Sequence, residues 1–348
     1  MALNAVQISQ TEMNNPKISI IVPVHNAGEY LDKCLTSLVM QTLEDIEIIL
    51  ILDRPTDGSE KVAEIFAAKD NRIKLIYNEE NLHTGLSRNK GLKIATGKYI
   101  GFHDHDDYSE PTMYELLYKK AEEHNFDVVR CNFSCIYNKN NTIINEEYKY
   151  PDMSVDPSNK EWIYENVGND TISCVIWNHI YRADFLAQHN IEFLDSRTIC
   201  SEDSIFFIEV YKNLDRLGIV PKYLYYHVFH MNNTGKVYNY RSIKNRIAFF
   251  DELYLFMRKN NISEKQSRSF ISKNIASSLY SGSRQALLLF PRKKAIEEIQ
   301  YIRQNRLMME CIKNLYKKEN LSILFSLKPT IIIFLFILNL FGKKQKSS

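Results

Sequence analysis

KISIIVPVHNAGEYLDKCLTSLVMQTLEDIEIILILD, residues 17–53, holds two kinds of hydrophobic periodicity within one short stretch. Residues 17–24 and 46–53 are near-continuous apolar runs rich in isoleucine, the pattern of strands buried on both faces. Between them Tyr30, Leu31, Cys34, Leu35 and Leu38 recur at helical spacing from Glu29 to Met40. A buried strand, a helix and a second buried strand form a crossover unit, the connection that parallel strands require. The alternation continues outward: RIKLIYN (72–78) and KYIGFHD (98–104) read as further strands, with helices over about 58–68, 84–95 and 110–124. Pro111 is placed in the first turn of the last helix, where its missing N–H costs nothing. The expectation is an α/β fold, a Rossmann-like and mainly parallel sheet with helices on both faces.

After DVVRCNFSCIYN (127–138) the regularity stops, and 139–170 reads as polar loop. Aromatic-rich segments follow at Val175–Tyr181, Ile205–Tyr211 and Tyr223–Phe229, and Tyr240 to Asn320 reads as a Lys/Arg-rich helical region. The 348 residues are 45% hydrophobic and 25% charged, which excludes collagen-like and disordered chains. A net charge of +2 is too balanced for a chain that lives on nucleic-acid backbone contacts. Six cysteines without a CxxC pair indicate neither a zinc ribbon nor a disulfide scaffold, and Cys131 and Cys135 read as small buried side chains. Residues 1–16 lack the basic and apolar regions of a signal peptide and read as a flexible start of a protein retained in the cytoplasm.

From Leu321 to Phe341 the sequence LSILFSLKPTIIIFLFILNLF is almost wholly apolar, and GKKQK follows. A membrane span needs about 20 apolar residues, whereas Lys328-Pro329 divides this stretch and leaves Thr330–Phe341 as an unbroken run of 12. Three readings stand: an interfacial or re-entrant anchor on the inner face of the cell membrane, a true span, and a buried core helix. Lys343, Lys344 and Lys346 favour contact with anionic cytoplasmic lipid.

Ligands of open α/β sheets bind at the carboxyl ends of the strands, where the polar residues closing each strand converge. These are His25 and Asn26, then Asp53, then Asn78, Glu79 and Glu80, then Asp104, His105, Asp106 and Asp107. Three carboxylates within four residues repel one another unless a cation intervenes. Oxygen-only ligation with open positions suits Mg²⁺ or Mn²⁺ bridging a diphosphate. The plainer reading is a solvated acidic turn that caps the next helix.

In order and spacing, ISIIVPVHNAGEYLDKCLTSLVMQT, ILDRPTDGS and GLSRNKGLKIATGKYIGFHDHDD resemble the family 2 glycosyltransferases of GT-A fold, over roughly residues 17–235. With the stretches read above, the chain divides into that domain, a helical region at 236–320, and a membrane-associating segment with a basic tail at 321–348. The resemblance implies a nucleotide lying against Val24, Asn26 and Asp53, the last facing the base, with Arg88 nearby. Asp104 and Asp106 match the outer positions of the family's DXD motif, which handles ribose and metal, with Asp107 in support. Two departures stand out: Asp53-Arg54-Pro55 where the family often has Asp-Gly-Ser, and His105 where the residue is usually small. Alternation at a strand end points His105 away from the acids.

CVIWNHIYRADFL (174–186) is similar to the family's acceptor-side segment, with Trp177, Asn178 and Arg182 at matching positions. Trp177 reads equally as a sugar-stacking platform and as a core tryptophan. Ser201-Glu202-Asp203 before SIFFIEVY looks like the family's Glu-Asp motif, which gives Asp203 the role of base and sets Glu202 on the acceptor side. Alone, an acidic residue there also reads as a helix N-cap. His227 and His230 in YYHVFHMNN fall where related enzymes close over the donor diphosphate, and either also reads as structural.

The resemblance implies an inverting glycosyltransferase of bacterial surface-polysaccharide type. It would move sugar from a nucleotide-diphosphate donor, most often UDP-linked, to a hydroxyl of a glycan or lipid-linked glycan at the cytoplasmic membrane surface. A sugar-1-phosphate nucleotidyltransferase would carry a Gly-rich loop after the first strand, and VPVHNAGEY has one glycine. A catalytically silent, nucleotide-sugar-binding membrane scaffold would keep the fold and bind donor without turnover.

Overall fold

The structure, a computed structural model, describes residues 15–139, 142–148, 174–230, 242–317, 324, 327 and 329–342. The expected flexible start, most of the expected 139–170 loop and the basic tail fall outside them. β1 (Ile18–Val24), β2 (Ile46–Leu52), β3 (Ile73–Tyr77) and β4 (Tyr99–Phe102) pair in parallel in the order β3-β2-β1-β4. β1 and β2 are buried along their whole length, as continuous apolar runs require. α1 (Tyr30–Val39), α2 (Ser59–Ala67) and α3 (His83–Ile94) make the crossovers. Alternation along β1 sends Ile20 and Val22 into one core with Leu31, Leu35 and Leu38 of α1, and Ile21 into the core on the other face.

The second half of the sheet is mixed rather than parallel. β5 (Tyr108–Ser109) pairs antiparallel with β9 (Leu217–Phe229), and α4 (Met113–His124) follows β5. β6 (Val128–Lys139) pairs parallel with β9 and antiparallel with β7 (Thr142–Tyr148) and β8 (His179–Arg182). Two expectations are corrected here. Part of the expected polar loop is strand β7, and Pro111 precedes α4 instead of opening it. Glu110 N donates to Leu224 O at 2.9 Å, so the sheet holds the chain until the helix can start, and Pro111 O accepts from Thr42 N at 2.9 Å.

α5 (Ala183–Gln188) and α6 (Glu202–Asn213) lie before β9. The C-terminal helices are α7 (Ile243–Lys259), α8 (Glu264–Leu289), α9 (Arg292–Gln304), α10 (Arg306–Leu315) and α11 (Pro329–Gly342). They share one apolar cluster, which also takes in Ile205 and Ile208 of α6. Ile331, Leu335 and Leu338 of α11 are buried in that cluster. Among the described residues no helix is long and apolar enough to cross a membrane. The six cysteines form no disulfide, and Cys131 and Cys135 are buried.

Candidate active site

The crevice opens where β1 is flanked by β2 and β4. Asp53 N donates to Val24 O at 2.8 Å, extending the parallel ladder to the strand ends. The Asp53 carboxylate is buried, and its Oδ1 accepts from Leu82 N and Asn78 Nδ2, both at 2.7 Å. Asn26 adopts a left-handed backbone, φ 48°, and its Oδ1 accepts from Thr56 N at 2.7 Å. Asp57 accepts from Gly28 N at 2.7 Å and from Ser59 Oγ at 2.6 Å. The loop that carries Arg54-Pro55 is thus pinned to the β1–α1 turn through Asn26 and Asp57.

α3 carries Arg88 to the strand ends because two glycines let it lie close. A Cβ on Gly91 would sit 2.5 Å from Ile21 Cγ2, and one on Gly85 would sit 2.3 Å from Leu194 O. Asn89 pairs twice with Phe193, donating to its O and accepting from its N, both at 2.8 Å. Gly85 N donates to Ser196 Oγ at 2.7 Å. The 193–196 segment is therefore strapped to α3, and the chain enters α6 beside Arg88.

Arg88 Nη2 donates to Asp104 Oδ1 at 2.8 Å, and its Nη1 lies 3.6 Å from Glu202 Oε1. Oxygens of Asp104, Asp106 and Asp107 lie within 4.8 Å of one another. Each acid has a cationic or hydrogen-bonding neighbour. His230 Nε2 stands 2.8 Å from Asp106 Oδ2 while its ring stacks on Tyr30 at 4.3 Å. The buried Asp107 accepts from Tyr225 OH at 2.8 Å and Val228 N at 2.7 Å, with His227 Nδ1 at 3.0 Å. Tyr225 OH also accepts from Asp104 N at 3.2 Å. His105 turns away, its Nδ1 2.9 Å from Pro23 O.

These contacts set the charges. Burial raises Asp107 to about 6 against the pull of His227. Burial opposes the charge on His227, yet Asp107, with Asp104 and Asp106 behind it, holds His227 up at about 9. Burial also works against ionisation of Asp106, but the hydrogen bond from His230 and the nearby His105 bring it down to about 2. Near neutral pH the charges of Asp106 and Asp107 are thus balanced by that of His227.

Asp203 lies within the first turn of α6, which corrects the N-cap reading: Ser201, at φ 56°, precedes the helix. Burial, and then the charge of Glu202, raise its carboxyl to about 7, while Arg88 pulls the other way. That value suits a group that must accept a proton near neutrality.

The residues matched to the acceptor side are packed or paired within the fold. Trp177 is buried, stacked on Tyr225 at 4.3 Å and meeting Phe133 edge-on at 4.6 Å, so it has no face for a sugar. Asn178 is buried and donates to Cys131 O at 2.5 Å, tying β6 to the segment before β8. Arg182 pairs with Asp127 at 2.8 Å and sits in register with Tyr99 at the amino end of β4, away from the crevice. Glu202 is also buried, facing Arg88 and Gly85 rather than an open surface. Sequence reading missed Asn89, Asp57 and Tyr225. The first two lie inside motifs quoted for their neighbours, whereas nothing local marks Tyr225.

A parallel half-sheet joined to a mixed half, with acids closing β4 and a further acid on α6, defines the GT-A class of fold. S. aureus TarS, solved as residues 1–349 in complex with UDP, has this fold, with a TM-score of 0.63 and 20% identity over 94% of this chain and 88% of that one. The profile of Glycosyl transferase family 2 matches residues 19–179. A glycosyltransferase of Haemophilus influenzae is 32% identical over 234 residues, 65% of this chain and 70% of that protein. The glycosyltransferase EpsJ of Bacillus subtilis is 32% identical over 210 residues, so the chain spans 60% of that relative's length. The chain belongs to glycosyltransferase family 2.

Proposed function

We propose that the protein is an inverting, metal-dependent glycosyltransferase that moves a sugar from a UDP-linked donor to a hydroxyl of a growing surface glycan. The observation that carries this is the meeting of two acid groups at one crevice, the Asp104–Asp107 turn and the Glu202-Asp203 pair, bridged by Arg88 through its contacts with Asp104 and Glu202. TarS structures with UDP and with UDP-GlcNAc support the choice of base by analogy of fold.

Val24, Asn26 and Asp53 line the nucleotide end of the crevice. Asp104 and Asp106 would hold Mn²⁺ or Mg²⁺: their hard oxygen donors suit such ions, and the acids already draw the Arg88 guanidinium and the His230 ring to their oxygens. When bound, the ion supplies positive charge against the departing diphosphate. Arg88, held between Asp104 and Glu202, adds fixed positive charge at the same end. Asp203 takes the acceptor proton as the hydroxyl oxygen attacks the anomeric carbon. One displacement inverts that centre and needs no carboxylate nucleophile. Asp107, Tyr225 and His227 tie the acidic turn to β9 and hold it in place. The proposed acceptor is a membrane-borne glycan, a reading that rests on the apolar residues α11 leaves outside the core, Ile333 and Phe336.

A donor-hydrolysis screen over nucleotide sugars, with and without chelator, tests the reading. Turnover should stop in EDTA and return with Mn²⁺ or Mg²⁺, and Asp106→Asn should weaken donor binding several-fold. Full turnover in EDTA would remove the metal role. Metal-dependent UDP binding without turnover on any donor and acceptor panel would favour the silent scaffold.

A further inference from the structure

α8 ends in Ala286-Leu287-Leu288-Leu289, and Phe290-Pro291 leads into α9, which opens with Arg292-Lys293-Lys294. Ala286 is buried, but Leu287, Leu288 and Leu289 are 55%, 72% and 60% exposed. Three successive helical positions sweep roughly 200° of arc, so no single neighbouring helix can cover them. Isolated exposed leucines are ordinary, whereas a contiguous apolar tip indicates contact with something outside the chain.

The charge beside this tip has one sign. Arg284 lies one turn before it, and Arg292, Lys293 and Lys294 follow, all exposed, with no acidic residue from 284 to 296. None of the four pairs with a carboxylate among the described residues. Lys294 packs its ammonium 4.1 Å from the Phe290 ring, beside the leucines. Three cations in the first turn of α9 also oppose that helix's dipole. An external anionic surface relieves both the repulsion and the exposure.

α11 lies against α8, with the Tyr280 and Phe334 rings 5.7 Å apart, and leaves Ile333 and Phe336 58% and 53% exposed. Lys343, Lys344 and Lys346 follow it in sequence.

We propose that the α8–α9 corner is a membrane-docking surface for an anionic bilayer. Leu287, Leu288 and Leu289 enter the boundary between headgroups and acyl chains, and Arg284, Arg292, Lys293 and Lys294 meet lipid phosphates. A second copy of the chain is the poorer occupant, because a two-fold contact through this corner would set like cations against one another. The inference does not depend on the glycosyltransferase reading, and it places membrane contact at a site separate from the C-terminal segment.

The test is co-sedimentation of the full chain with vesicles of phosphatidylcholine alone and of two parts phosphatidylcholine to one part phosphatidylglycerol. Two surface variants are compared, L287S/L288S/L289S and R292E/K293E/K294E, both retaining residues 321–348. The wild type should bind the anionic vesicles and release them in high salt. Each variant should bind about tenfold or more weakly, the charge reversal losing its preference for phosphatidylglycerol, with donor turnover in solution unchanged. Wild-type binding that neither variant alters would overturn the proposal and leave attachment to the C-terminal segment. Failure of the wild type to bind the anionic vesicles would overturn it as well. A wild-type dimer by light scattering that both variants dissociate, without vesicle binding, would give the surface to a second copy.

Discussion

Asp203 has to be ionised to accept a proton, while its burial and the adjacent Glu202 favour the neutral form, and the balance falls at about 7. Asp203→Asn should therefore cut kcat by about 10²-fold or more with donor affinity near wild type, measured by acceptor turnover and UDP titration. For the wild type, kcat/KM should rise with pH through about 7 as the carboxylate forms. Stability moves the other way. A carboxyl raised in the fold binds its proton there while the unfolded chain has already released it at about 4. The fold accordingly loses stability as pH climbs from about 4 towards 7. Asp203→Asn should melt higher than wild type above neutrality and match it below pH 4, and equal Tm shifts at both ends would refute the assignment. At this scale the sequence singles out the acids, because clustered carboxylates repel one another and call for cationic or hydrogen-bonding neighbours. Trp177 was not decidable from sequence, since one side chain serves a core and a sugar platform equally, and only the stack on Tyr225 separates them. Tyr225 was invisible because its role is to join Asp104 and Asp107 from a strand more than a hundred residues away.

Elements whose partners are near in sequence were legible, and those defined by distant pairing were not. β1, α1 and β2 declare themselves by local periodicity, but the two residues of β5 are strand only because Tyr108 meets Tyr226 and Ser109 meets Tyr225. That same pairing displaces the start of α4 past Pro111. α11 shows the opposite limit: its composition is plain, and its environment is not encoded locally. At 1.5 Å per residue its 14 residues span about 21 Å, short of the roughly 30 Å of a hydrocarbon core. One side, Ile331, Leu335 and Leu338, is buried with the C-terminal helices, while Ile333 and Phe336 face outward. Leu335→Ala should then cost about 2–5 kcal/mol in urea unfolding, and Phe336→Ala no more than about 0.5 kcal/mol. Equal small losses would mean that the helix does not belong to the core.

Taken over the whole molecule, α6 is the joint between the sheet and the C-terminal helices. Phe206, Phe207, Val210 and Tyr211 pack on the sheet core, whereas Ile205 and Ile208 enter the C-terminal cluster with Ile247, Phe250, Ile275 and Leu279. Asp203 stands at the start of this helix, so its position is fixed from both sides. All the proposed donor and metal residues precede residue 110 and lie on elements packed within the sheet layers. A chain ending after residue 241 would retain every one of them, and Asp203 too, yet it would uncover Ile205 and Ile208. Donor contacts and the base should consequently respond differently to that truncation. The shortened protein should bind UDP within a few-fold of the full chain, while kcat falls by about tenfold or more because α6 has lost one of its two packing faces. Increased amide hydrogen exchange should be confined to α6 and the 193–201 segment, with β1, β2 and α3 unchanged. If turnover survives at the full-length value with α6 equally protected, the C-terminal helices do not support the base. Joint loss of UDP binding and turnover, with exchange rising through the sheet, would show that the helices hold up the entire fold.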